Sequence, residues 1–80
     1  MAEKLGTYFL ANVGPYALKA DVYVNDEFNT STYPGTLTPV RGVKVGDKVT
    51  IMKRAGLFRL GKEIFAEFEL NEASVDYDDN

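Results

Sequence analysis

Apolar and polar positions alternate along most of this chain, and that period of two predicts strands. Residues 5–13 place Leu5, Thr7, Phe9, Ala11 and Val13 on one face of a strand. Gly14-Pro15 interrupts the run, because proline fixes φ and lacks an N–H. Residues 17–25 alternate more cleanly. Leu18, Ala20, Val22 and Val24 point one way and Lys19, Asp21, Tyr23 and Asn25 the other, the pattern of a half-buried antiparallel strand. From Asn25 to Gly35 the residues favour turns, so a long loop is expected there, with Phe28 and Tyr33 as its aromatic members.

Residues 36–41 form a short strand that Pro39 confines to a sheet edge. Val45-Gly46-Asp47-Lys48 is a tight turn, and the strand from Lys48 to Lys53 points Val49 and Ile51 inward. Ala55-Gly56 turns again, Leu57–Leu60 is a short strand and Gly61-Lys62 a further turn. Residues 63–70 alternate through Ile64, Ala66, Phe68 and Leu70 and are read as a strand. A short helix with Ile64, Phe65 and Phe68 on one stripe is the alternative. The pattern predicts an all-β domain over residues 1–70, a small five- or six-stranded antiparallel barrel or sandwich. Residues 71–80 are polar and acidic and are expected to form a disordered tail.

Val43-Lys44-Val45-Gly46-Asp47-Lys48-Val49-Thr50-Ile51 resembles an element common in OB-fold and SH3-like small β-barrels. There a Gly-Asp turn feeds the chain into a barrel strand. The resemblance covers nine of the 80 residues. It implies a barrel and no particular ligand, because such folds carry many functions.

Composition narrows the chemistry. Eighty residues, with 45% hydrophobic and 26% charged, make one ordinary globular domain with a limited core. The absence of cysteine excludes a disulfide or thiolate staple, and no apolar run approaches the ~20 residues of a membrane helix. No membrane partner is expected, and a cytoplasmic location is the default. Asn29-Thr30-Ser31 fits the glycosylation pattern, but three residues are too short a motif to carry that assignment.

Enzymatic activity is not expected. There is no His for proton transfer near neutral pH and no Cys nucleophile, and the only serines are Ser31 and Ser74. Gly56 to Lys62 nearly matches a phosphate-binding loop, but Glu63 stands where Ser or Thr would hold magnesium. Asp76, Asp78 and Asp79 lack the spacing of a calcium loop. No cofactor or metal is expected.

Charge supplies the main functional lead. Seven of the nine bases lie between Arg41 and Lys62, whereas residues 67–80 hold six acids and no base. The body is thus net +3 and the end −6. Arg41, Lys44, Lys48, Lys53, Arg54, Arg59 and Lys62, with Phe58, Phe65 and Tyr33 beside them, have the composition that holds single-stranded nucleic acid. Cations meet phosphates and rings stack on bases. With the acidic end, this layout resembles phage and bacterial single-strand-binding proteins, whose tails recruit partners or compete for the basic groove. Here the chain ends Asp78-Asp79-Asn80, without the hydrophobic final residue usual in that family. The sequence therefore favours a nucleic-acid-binding module by a narrow margin. The alternative is a protein-binding adaptor, assembly component or inhibitor acting through Phe28 and Tyr33, an edge strand or the acidic tail. A homodimer is the other partner class open to so small a domain.

Overall fold

The structure, a computed structural model, describes residues 4–15, 17–54 and 62–77, with the backbone alone at Arg54 and Lys62. Seven strands form two antiparallel sheets: β1 (Gly6–Asn12), β2 (Ala20–Val24), β3 (Glu27–Thr32), β4 (Thr36–Val43), β5 (Lys48–Arg54), β6 (Lys62–Glu69) and β7 (Asp76–Tyr77). One sheet has the order β4-β1-β7 and the other β3-β2-β5-β6. The architecture is a sandwich, and the sheets do not close into a barrel. The Gly46-Asp47 turn does feed a strand, as expected, but β5 belongs to an open sheet. Residues 63–70 are strand through Glu69, so the helical alternative falls. Lys62, expected in a turn, begins β6; the strand and turns expected within 55–61 lie outside the described residues.

The core is small and built from slim side chains. Ala20, Val22, Val49 and Ile51 of the four-stranded sheet meet Val40 and Val43 of the other, with Leu70 and Val75 closing one end. Tyr8, Leu10 and Phe68 pack around them, and the Tyr8 and Phe68 rings meet edge-on at 5.7 Å. One buried polar contact crosses between the sheets, a 2.7 Å hydrogen bond between the Thr32 and Thr38 hydroxyls.

Three bulges decide which side chains enter this core, and the one in β3, where Asn29 is the extra residue, turns Phe28 outward. Opposite Gly6 and Thr7, β4 carries an extra residue, Gly42, with φ of 74°. A positive φ suits glycine, and the insertion resets the alternation so that Val43 turns inward after Val40. In β6 the partner of Ile51 is Ala66 and that of Met52 is Ile64, leaving Phe65 as the extra residue. Ala66 and Phe68 therefore face the core, whereas Ile64 is 60% exposed.

The stretch expected as one long loop is a hairpin and a corner. Asn25 and Asp26 both have positive φ, the two-residue turn that matches strand twist, and they join β2 to β3. Pro34 and Gly35 (φ 79°) then form a type II turn closed by Thr36 N–H on the Tyr33 carbonyl. This corner carries the chain from one sheet to the other.

Residues 71–77 are also ordered, contrary to the expected tail. The Asn71 side-chain oxygen accepts from the Ala73 and Ser74 N–H groups and shapes a turn that delivers Val75 to the core. Asp76 and Tyr77 then pair with Thr7 and Gly6. Gly6 permits this docking, since a Cβ there would lie 2.7 Å from the Asp76 carbonyl oxygen and 2.8 Å from Val75 Cγ1. Residues 78–80 lie outside the described residues.

The turns converge on Asp47, whose side chain is 7% exposed. Its carboxylate accepts from Lys44 N–H (3.0 Å), Lys44 Nζ (3.0 Å) and Asn25 Nδ2 (3.1 Å). Its backbone carbonyl accepts from Leu70 N–H, and Gly46 N–H donates to the Leu70 carbonyl. Burial pushes the Asp47 pKa up, but the hydrogen bonds from Lys44 and Asn25, with the Lys44 charge, outweigh it and hold the carboxyl below its ordinary value.

A carboxyl with a depressed folded pKa adds stability that is complete above its unfolded pKa and is lost as pH falls through the folded one. Asp47→Asn should cost about 2 kcal/mol at neutral pH, the scale of losing hydrogen bonds to a charged acceptor. Denaturant titrations should show that gap narrowing at acidic pH, below about 4. A gap that stays constant down to about pH 2 would contradict the assignment.

Candidate binding surfaces

The residues of the basic run are dispersed by the fold. Arg41 lies on β4, in the three-stranded sheet. Lys48 and Lys53 lie on β5, in the other sheet, five positions apart and so on opposite faces. Lys44 is held by Asp47. Lys48 bridges Asp26 at 3.0 Å and lies 3.9 Å from Glu67, and the Asp26 hydrogen bond raises the Lys48 pKa. Lys53 sits 5.5 Å over the Phe65 ring, and the backbones of Arg54 and Lys62 pair at the end of the β5–β6 hairpin. Phe58 and Arg59 lie outside the described residues. The structure thus brings Lys53 to Phe65 and pairs the backbones of Arg54 and Lys62 beside them, and it separates Arg41, Lys44 and Lys48 from Lys53.

Phe28 and Tyr33 do not share a loop. Phe28 lies in β3 on the outer face of its sheet, packed edge-on against Tyr23 at 5.8 Å. Tyr33 stands at the corner after β3, with Lys19 Nζ 5.3 Å from its ring centroid. Around Phe28 the outer face is mixed. Tyr23, Met52 and Ile64 alternate with Asp26, Thr50 and Glu67.

An apolar exposed surface lies on the outer face of β1 and β4. In β1 the core face is Gly6, Tyr8 and Leu10, and the outer face is Thr7, Phe9 and Ala11. Phe9 is 46% exposed and Val13 67%. The register then matters. Phe9 lies opposite Pro39 and Ala11 opposite Leu37, which is 64% exposed. Four apolar residues therefore tile the outer face of β1 and β4. Toward β7 the next row across the sheet reads Arg41, Thr7, Asp76. Leu37 and Pro39 were missed because the phase of β4 is not marked by polarity: Thr38 and Val40 take the inner face and the apolar pair the outer one.

An apolar groove also opens between the sheets beside residues 10–13. Leu10, Ala20, Ile51 and Phe65 line it with Lys53, and its volume is about 220 Å³. Among the described residues no strand pairs with the edge of β1 beyond Thr7 on that side. No helix long and apolar enough to cross a membrane is present among the described residues. The chain matches no protein-family model, no curated protein and no solved structure.

The phase of β1 has a direct consequence for stability. Phe9→Thr should change unfolding free energy by less than about 1 kcal/mol, the range of strand-surface substitutions. Leu10→Ala, which removes core contacts, should cost about 2 kcal/mol. Urea denaturation of the two variants checks this, and the reverse ranking would place Phe9 inside.

Proposed function

We propose that this chain is a non-enzymatic binding module that contacts a protein surface through the outer face of the β4-β1-β7 sheet. The observation that carries this reading is the apolar block of Phe9, Ala11, Leu37 and Pro39, opposed in register on neighbouring strands. Soluble domains rarely leave large contiguous apolar patches in water, and such patches mark interaction sites. Among the described strand residues of this face, the charges are Arg41 and Asp76, in the row at one end. That arrangement gives an apolar centre with a polar rim, the anatomy of a protein interface.

Single-stranded nucleic-acid binding is the second reading. Lys53 over Phe65, beside the paired backbones of Arg54 and Lys62, favours it. A ring and several cations on one hairpin suit a short stretch of bases and phosphates. It stands second because Lys44 and Lys48 already have acidic partners and Arg41 belongs to another sheet. The likeness of residues 43–51 to OB-fold and SH3-like barrels adds no ligand to either reading.

A photoreactive phenylalanine analogue at Leu37 tests the first reading. Irradiated in extract of the cells that make the protein, the full chain should give a discrete protein adduct that survives nuclease. Excess unlabelled wild-type chain should abolish the adduct, and excess Leu37→Asp chain should not. The same probe at Glu72, on the exposed turn before β7, should give none. Absence of an adduct from position 37 would overturn the reading. A nuclease-sensitive adduct from a probe at Phe65 would put nucleic acid first.

A further inference from the structure

We infer that the occupant of the β1–β4 outer face is a second copy of this chain, related by a two-fold axis parallel to the strands and midway between β1 and β4. The inference rests on the protein-binding reading and names its partner. Bulky and small residues lie on opposite diagonals of the apolar block. Phe9 faces Pro39 across the strands, and Ala11 faces Leu37. The proposed axis exchanges the two strands while keeping each row. It therefore sets Phe9 of one copy on Pro39 of the other and Leu37 on Ala11, so every large side chain meets a small one. An interface of this kind must be self-complementary, and this surface is. A uniformly bulky or uniformly small block would give collisions or voids under the same operation.

Charge supports the same arrangement. The next row reads Arg41, Thr7, Asp76 across the three strands. The axis carries Arg41 over Thr7 of the other copy, one strand spacing of about 4.8 Å from Asp76 there. A long guanidinium spans that offset, so two Arg41–Asp76 pairs form at the rim and no like charges meet.

Area sets the strength. Eight residues of β4 beside seven of β1 give a footprint of about 26 by 10 Å, roughly a third of the ~800 Å² per partner in a standard interface. Association should then be weak, with a dissociation constant of about 10–100 µM.

Sedimentation equilibrium of the full chain, from about 5 µM to about 1 mM, tests this. The weight-average mass should climb toward twice the monomer value. Leu37→Asp should weaken association by at least about tenfold. Ala11→Leu should weaken it about fivefold although it adds apolar surface, because a bulky residue then meets Leu37 of the other copy. Adding Leu37→Ala to Ala11→Leu swaps the diagonal and should restore association. Arg41→Glu should weaken it, and Arg41→Glu with Asp76→Arg should recover it. An unchanged amide spectrum confirms folding of each variant, and the charge pair keeps the test open if a core-adjacent change unfolds the chain. A monomer at every concentration, or tighter association on Ala11→Leu alone, would overturn the inference. A monomer whose position-37 probe crosslinks a different protein would overturn it while leaving the protein-binding reading standing. A monomer without any adduct would remove both.

Discussion

The buried carboxylate of Asp47 is the constraint on which the sandwich turns. A core made mainly of valine and alanine leaves few large side chains to fix how two sheets sit on each other. Asp47 supplies that constraint by direction. Its carboxylate binds Lys44 within its own turn and Asn25 in the β2–β3 turn. The neighbouring backbone binds Leu70, and Val45 N–H donates to the Tyr77 hydroxyl. Four segments distant in sequence are thereby tied at one end of the molecule. A carboxylate so placed is costly to bury alone and stable when its acceptor sites are filled, so its bonding geometry is strongly enforced. Asn25 completes the tie, since its side-chain oxygen accepts from Lys48 N–H while its own N–H donates to the Lys48 carbonyl.

What the sequence makes legible follows from how unequal the two faces of a strand are. In β2 one face is Ala, Val, Val and the other Asp, Tyr, so only one phase buries well, and it is the observed one. Val49 and Ile51 of β5 are read as easily. In β1 both phases are apolar, with Tyr8 and Leu10 competing against Phe9 and Ala11. The deciding fact is distant: Gly6 must face inward to admit β7, and that choice fixes the phase of the whole strand. The bulges at Gly42 and Phe65 shift phase again and leave no mark in local alternation. Asn25-Asp26 went unread as a hairpin because it lacks the glycine of the commoner turn.

The functional picture changed for the same reason. A run of bases in sequence becomes a surface only if the fold puts its members on one face. Here Lys48 and Lys53 point to opposite sides of one strand, and Arg41 belongs to another sheet. The acidic segment is partly consumed in structure, with Asp76 in β7 and Glu67 bonded to Thr50. Local pairing absorbs much of the charge separation that the linear order displays. Burial moved the other way. The face of β1 that carries Phe9 and Ala11 lies outside, and its apolar block with Leu37 and Pro39 is the strongest reason to expect a protein partner.

Native-state hydrogen exchange tests the central claim, that the Asp47 turn holds the sandwich together as one unit. The amides of Asn25, Lys44, Gly46 and Leu70 donate to the groups of this junction. They should exchange with one common free energy, equal to that of global unfolding and shared with the core amides of Val22 and Ile51. If the four amides open separately, at free energies well below that of the core, the junction is ornament and the sheets are held by apolar packing alone.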